Sequence, residues 1–354
     1  MFFPVQEVRV LEVINTEQST IANANYPELS PASAASNLAE AINTVLPDEK
    51  SPLSAAARLH FQNLGKLLRG TTSLRLAKVV GLDWDAAINW AVAVELMHNA
   101  SLVHDDICDE DQFRRDQFSV VSSFGTPIAV CLGDWLVARS FELGIRAAEK
   151  GIGLSSIELL ASSMRHLSAG EAAEFSSSKF LDWSDYEKIV LNKTVPLISA
   201  AIEGPLVLSD RKENLSDIRA ATNALGIAYQ ISNDISDIID GNGNPGPFND
   251  LRKRAPNAVL LTFREQLSTE ERNDYDVWWE NLSGPTIEEW IVRIHSSQSL
   301  DICSRRLNST LGDFKDSCNK LPDYILEALD PIIVYLQTLT STCAPLSKKT
   351  LDFN

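Results

Sequence analysis

From Ser51 onward, apolar residues recur at intervals of three and four, the spacing that lines one face of a 3.6-residue helix. This period predicts long helices over 84–109, 126–149, 154–178, 183–204 and 215–240, with shorter ones near 270–282, 287–310 and 322–341. Ser51 is placed to cap a first helix with Pro52 at its opening position, where a missing N–H costs nothing. Strand alternation is convincing nowhere. Turns as short as "SSFGTP" and "EKGIG" join these helices, so neighbours must run antiparallel and bury their apolar stripes against one another. The fold class expected is all-α, a single large antiparallel helical bundle around a central cavity. Before Ser51 the pattern weakens: Pro4, Pro27, Pro31 and a Ser/Ala/Asn-rich stretch lead only to a possible first helix near 34–45. The expected organisation is an irregular N-terminal arm over 1–50, a helical domain over 51–345 and a tail over 346–354. The irregular stretch "GNGNPGPFNDLRKRAPN", residues 241–257, has the length and composition of a functional lid.

Composition narrows the function. The chain has 354 residues, 44% apolar and 22% charged, and contains no run near the roughly 18 apolar residues that a membrane span needs. The opening "MFFPVQEVRV" lacks the basic start of a signal peptide. Five cysteines (Cys108, Cys131, Cys303, Cys318, Cys343) are odd in number and free of CxxC spacing, which argues against a disulfide framework and fits a reducing, cytoplasmic setting. A net charge of -17 with no basic stripe excludes a nucleic-acid partner. Anions can be handled only locally or through metal ions.

One such locality is "SLVHDDICDEDQFRRD". Asp105 and Asp109 lie four apart on one helical face with Asp106 beside them, at the end of an otherwise apolar helix. Two like charges about 4 Å apart repel by roughly 4 kcal/mol at an effective dielectric of 20, so a partly buried cluster needs a compensating cation. Mg2+ suits hard oxygen ligands that leave positions open for a phosphate-bearing substrate, with Mn2+ as the alternative. A solvated acidic helix end is the competing reading of this motif alone. A second polar stripe, Gln230, Asn233, Asp234 and Asp237 in "AYQISNDISDIID", marks another apolar helix at i, i+3, i+4 and i+7. Basic residues complete the pattern: Lys66 and Arg69 three apart in "LGKLLRG", the pair Arg114–Arg115, and Lys193 inside an apolar helix where an unpaired ammonium would be expensive. Together they outline two anion sites, one metal-bound and one held by cations alone.

In order along residues 60–260, "GKLLR", "ELMHNASLVHDDICDEDQFRR", "GDWLVARSFEL", "GEAAEF", "KT" and "GIAYQISNDISD" followed by "NDLRKR" resemble the trans-isoprenyl diphosphate synthases, the polyprenyl synthetase family, in the manner of its geranylgeranyl and polyprenyl diphosphate synthases. The resemblance implies the isoprenoid synthase type of bundle and a homodimer. It implies chain elongation, the condensation of isopentenyl diphosphate with an allylic diphosphate through a carbocation. It places Mg2+ on Asp105, Asp106 and Asp109 and on Asn233, Asp234 and Asp237. The same likeness puts Arg114 and Lys193 on the allylic diphosphate, with Thr194 and Gln230 alongside, and isopentenyl diphosphate on Lys66, Arg69, His98 and Arg115. Catalysis would rest on Asp105, Asp106, Asp109 and Lys193. The small residues Ala100 and Ser101 stand where a chain-length floor would lie, with Met97 a turn deeper, which implies a product of C20 or longer.

Three departures stand out. Asn233 replaces a family aspartate, "RRD" with Asp116 replaces "RRG", and "RAPN" replaces "GKxT", which leaves Arg252, Lys253 and Arg254 in shifted positions. A class I terpene cyclase or irregular coupling enzyme on the same fold is the runner-up, although the glutamate that a cyclase would need at position 241 is Gly241. A non-catalytic synthase subunit is the third reading.

Overall fold

The structure is a computed structural model that describes residues 26, 29–151, 153–176, 182–239, 248–281 and 284–342. The start of the expected arm, residues 241–247 of the expected lid and the expected tail lie outside the described residues. Four helices, α1 (Pro31–Val45), α2 (Ser54–Phe61), α3 (Leu68–Val79) and α4 (Trp84–Cys108), lead into a hairpin of two-residue strands, β1 (Phe113–Arg114) and β2 (Gln117–Phe118). Helices α5 (Val120–Phe124), α6 (Thr126–Lys150), α7 (Ser155–Ser176), α8 (Trp183–Lys193), α9 (Val195–Leu208) and α10 (Leu215–Ile239) follow. The chain continues through α11 (Asn249–Lys253), α12 (Ala258–Gln266), α13 (Thr269–Asn281), α14 (Ile287–His295), α15 (Ser299–Cys318) and α16 (Asp323–Thr342).

Helix α4 is the central element. Asp83 caps it by accepting from the backbone N–H of Asp85 at 3.0 Å and Ala86 at 3.2 Å. Apolar side chains cover all its sides, so it is enclosed by α3, α6 and α9 and buries Trp90, Val94, Leu96 and Met97 completely. Its approach to α9 depends on Gly204, where an added Cβ would stand 1.9 Å from Trp90 Nε1. That nitrogen donates to the Ala200 carbonyl at 3.0 Å. Around this centre α10 lies between α9, α15 and α16.

Departures from the periodic reading have local causes. The helix expected over 183–204 breaks at Thr194, because Pro196 cannot donate to the Asn192 carbonyl and its ring crowds that turn. The one expected over 287–310 breaks after His295, where the Ser297 hydroxyl donates to Ile294 O at 2.7 Å and its oxygen accepts from the Ser299 N–H at 3.1 Å. Ser51 and Pro52 form a turn, Ser54 N–H to Ser51 O at 3.0 Å, and the helix opens at Ser54 instead. Within the expected arm, α1 buries Ala34, Leu38 and Ile42 at intervals of four against the common core. The hairpin went unforeseen since its strands are too short to show alternation. It turns on Arg115 at φ 54° and Asp116 at φ 64°, the pair of left-handed residues that a tight two-residue connection requires.

Pro331 interrupts α16. It has no N–H for the Glu327 carbonyl four residues earlier, and Arg75 of α3 satisfies that oxygen instead, Nη2 to O at 2.7 Å. The exchange fixes α16 against α3.

Candidate active site

Two cavities sit at the polar end of α4. The first, about 250 Å3, is walled by Asp105 of α4 and Asp109 just past its end, Asp111 and Arg114 of the hairpin region, Glu174 of α7, Tyr186 and Lys193 of α8, and Gln230 of α10. Asp250 and Lys253 of α11 close it. Five carboxylates thus face three cations. Each cation is already engaged. Lys193 Nζ lies 2.6 Å from Glu171 Oε2 and 2.9 Å from Glu174 Oε2; Arg114 Nε donates to Asp106 Oδ1 at 2.7 Å; Lys253 pairs with Asp111. Burial opposes the charge of Lys193, but Glu174, Asp105 and Glu171 outweigh it and hold the ammonium well above its ordinary value. Burial, reinforced by Glu171, pushes Asp105 up to about 7. It also raises Asp109, and raises Asp250 further with help from Asp234 and Asp237.

The expected acidic residues divide here. Asp105 and Asp109 reach the wall, whereas Asp106 turns away into the protein to hold Arg114, with its Oδ2 buried and unpartnered among the described residues. The second stripe is not brought to this wall as expected: of its members only Gln230 lines the cavity. Asp234 is buried and accepts from Tyr186 Oη at 2.7 Å, Gln230 Nε2 at 2.9 Å and the Ala258 N–H at 2.7 Å, and burial holds it at about 7. Asp237 caps α11 by accepting from the N–H of Asn249 at 3.1 Å and Asp250 at 3.2 Å. Asn233 does not line the cavity either. Among Arg252, Lys253 and Arg254 only Lys253 does; the Arg254 guanidinium lies 5.7 Å from the Trp278 ring. Among the described residues no three Asp, Glu, His or Cys side chains already converge as a finished metal cage.

The second cavity, about 420 Å3, unites all four residues expected to bind a diphosphate by charge alone: Lys66, Arg69, His98 and Arg115. Lys66 and Arg69 do not share a helical face as their spacing implied, because Leu67 at φ 49° ends the turn before α3 begins. The turn nonetheless delivers both to one space. Arg69 Nη1 donates to His98 Nε2 at 3.2 Å, so the ring proton sits on Nδ1. Burial, with Arg69 and Arg115 beside it, keeps that imidazole neutral by lowering it well below its usual range. Arg115 Nη1 donates to the Asn63 carbonyl at 2.6 Å and is lined up with Asn99 Oδ1 at 3.4 Å. Lys66 Nζ stands 3.8 Å from the centre of the Tyr335 ring.

Thr194 lines the first cavity and donates to Gln230 Oε1 at 3.3 Å. His104 faces α6, 3.7 Å from Asp134, against Gly133, where a Cβ would meet its ring at 2.1 Å. Met97, Ala100 and Ser101 are buried on α4 and line neither cavity. Sequence reasoning missed Asp250, Glu174, Tyr186, Glu95, Tyr229 and Tyr335. The quoted motifs "GEAAEF" and "NDLRKR" contained Glu174 and Asp250 without assigning either a role.

The fold is that of the all-α isoprenoid synthases. A profile of the polyprenyl synthetase family matches residues 50–284, and the chain belongs to that family. The geranylgeranyl pyrophosphate synthase of Geoglobus acetivorans is 35% identical over 204 residues, 56% of this chain and 63% of that protein. A short chain isoprenyl diphosphate synthase of Methanothermobacter thermautotrophicus is 30% identical over 178 residues, 49% of this chain and 55% of that one. The matched stretch therefore spans less than two thirds of these relatives' length. The crystal structure of geranylgeranyl pyrophosphate synthetase from Pyrococcus horikoshii superposes with a TM-score of 0.76 at 25% identity, covering 88% of this chain and 96% of that one.

Proposed function

We propose that this protein is a chain-elongating trans-prenyltransferase that joins isopentenyl diphosphate to an allylic diphosphate and yields a product of C20 or longer. The observation that carries the reading is the pairing of an acid-walled cavity with a cation-walled one, bridged by adjacent residues: Arg114 lines the first and Arg115 the second. A cyclase, which uses one diphosphate, has no need for the second.

Divalent metal fits the first cavity. Its walls carry hard oxygen donors in excess over cations, and a diphosphate could not enter that field uncompensated. Asp105, Asp109 and Asp250 would hold Mg2+, with Mn2+ the alternative; when bound, the metal would neutralise the allylic diphosphate and ease its departure. Asp234 and Asp237 would support that wall by fixing Tyr186 and α11. Arg114, Lys193 and Lys253 would exchange their carboxylate partners for phosphate oxygens as charge develops on the leaving group. In the second cavity Lys66, Arg69 and Arg115 would fix the diphosphate of isopentenyl diphosphate with its double bond facing the first. No protein nucleophile is required, and the departing diphosphate can accept the proton released after coupling. Phe248, packed 4.9 Å from His295, anchors the described end of the expected lid.

A cytoplasmic homodimer belongs to the same proposal. Exposed apolar side chains on α6 (Val130, Ile145), α5 (Phe124) and the hairpin (Phe113, Phe118) leave a face for a second copy. No described helix is long and apolar enough to cross a membrane. The test is to incubate pure protein with isopentenyl diphosphate, allylic diphosphates from C5 to C20 and Mg2+, and to size the products. Ala100→Phe with Ser101→Phe should then shorten the main product by one or more C5 units. A C15 end point in wild type would overturn the chain-length part, and a cyclic hydrocarbon would overturn the whole.

A further inference from the structure

The cations of the two cavities are held by different means. In the first, each has a carboxylate partner. In the second, Lys66 pairs with no carboxylate among the described residues; its ammonium lies over the face of Tyr335, on α16. Tyr335 is not an incidental neighbour. It lines the same cavity, and its ring lies 6.0 Å from that of Tyr229 on α10. Its helix is registered against α3 by the Arg75 bond to the carbonyl that Pro331 frees.

We infer that Tyr335 is a positioning residue for the second anion site, holding the Lys66 ammonium over its ring with the positive charge left available to a phosphate. The physical logic is a difference in what must be displaced. A carboxylate partner occupies the hydrogen-bond donors of an ammonium and cancels its charge, so an arriving phosphate has to break a close ion pair. An aromatic face attracts the same cation through its quadrupole, which orients the flexible four-carbon stem but leaves the donors that point away from the ring free. Lys66 follows Gly65 at φ 68° and precedes the left-handed Leu67, so its side chain has no helical neighbours to restrain it. The ring supplies that restraint. Tyr229 packs against the ring, and α16 becomes a working wall of the second site rather than a cover on the bundle.

This inference rests on the second cavity being an anion site, and the test separates the two ideas. Inorganic diphosphate is titrated by calorimetry into the full-length protein in excess chelator, which leaves the cation-walled cavity as the binding site. Lys66→Ala measures whether that cavity binds the anion at all. Tyr335→Leu removes the quadrupole and Tyr335→Phe keeps it, with circular dichroism confirming that each variant is folded. The expected result is a loss of at least tenfold for Lys66→Ala, about fivefold to tenfold for Tyr335→Leu and less than about twofold for Tyr335→Phe. In turnover, Tyr335→Leu should raise KM for isopentenyl diphosphate by a similar factor, with kcat and the KM of the allylic substrate held. Wild-type binding in Tyr335→Leu while Lys66→Ala is impaired overturns the role of Tyr335 and leaves the site standing. Equal binding by all four proteins overturns both. Equal losses in the Leu and Phe variants overturn the aromatic mechanism, since the Tyr335 hydroxyl would then be the active element.

Discussion

The two cavities are built from similar charges and behave as opposites. The first stores its cations in ion pairs: Lys193 between two glutamates, Arg114 on Asp106, Lys253 on Asp111. The second spreads Lys66, Arg69 and Arg115 over an aromatic ring, a neutral imidazole, a backbone carbonyl and an amide oxygen, with the carboxyl groups of Glu95 and Asp116 also on its wall. A surplus of carboxylate would admit a diphosphate only with metal, whereas a surplus of cation over carboxyl groups would admit one without it. In the proposed reaction that difference would assign each diphosphate its place.

The strongest way to break this contrast is to discharge the first cavity. Asp105→Asn should lower kcat by about a hundredfold to a thousandfold, the scale of losing one preorganised electrostatic element, while KM for isopentenyl diphosphate stays within a few fold. Full turnover in that variant, or in excess chelator, would end the metal-dependent reading. The complementary change, Arg115→Ala, should raise KM for isopentenyl diphosphate about tenfold to a hundredfold with the Mg2+ requirement unaltered, because a charge-assisted contact is lost. A shifted Mg2+ optimum there would show that the two cavities are not electrostatically distinct.

Proton linkage gives a smaller effect with a defined sign. Burial raises Asp105 and Asp234 from 3.8 to about 7 in the fold. The metal-free protein therefore holds stability that is complete below the unfolded carboxylate value and is lost as pH rises through about 7. Mg2+ requires the deprotonated Asp105, so the increase in Tm that it produces should grow between about pH 5.5 and 8, checked by scanning calorimetry with and without metal. His60, lowered to about 4 by burial and Arg115, is common to both samples and cancels in the difference. A metal effect that is flat with pH would mean that Asp105 takes no part.

The mildest probe sharpens the second cavity. Asp116 lines it in a left-handed conformation, where glycine is less strained and carries no charge. Asp116→Gly should change stability by about 1 kcal/mol or less, since glycine's greater freedom when unfolded offsets the relieved strain. It should also lower KM for isopentenyl diphosphate by a few fold. An unchanged KM would show that the Asp116 carboxylate does not oppose the anion.

What could be read in the chain beforehand follows the same division. Lys66, Arg69, His98 and Arg115 were legible because each sits in a motif, and all four reach one cavity. The carboxylates were half legible. Their spacing showed that Asp234 and Asp237 share a helical stripe, but where each oxygen points is decided by donors far along the chain, the N–H groups of Ala258, Asn249 and Asp250. No local period encodes such partners. Tyr335 lies near the opposite end of the sequence from Lys66, on a helix that reads only as amphipathic, so nothing short of the tertiary fold unites them. Helix identity was written in the three-and-four spacing; helix ends were not, since Pro196 and Ser297 act through single backbone groups.

The hairpin has one more consequence, for how such a protein can change over time. Arg114 and Arg115 are consecutive and line different cavities, so the two proposed diphosphate positions are tied to each other through a single peptide unit as well as through the packing of the bundle. In the proposed reaction, substitutions along α4 and α9 that widen or narrow the interior would alter how long a hydrocarbon fits, while the link between the two arginines stays covalent. Product size and bond formation would then be separately heritable traits.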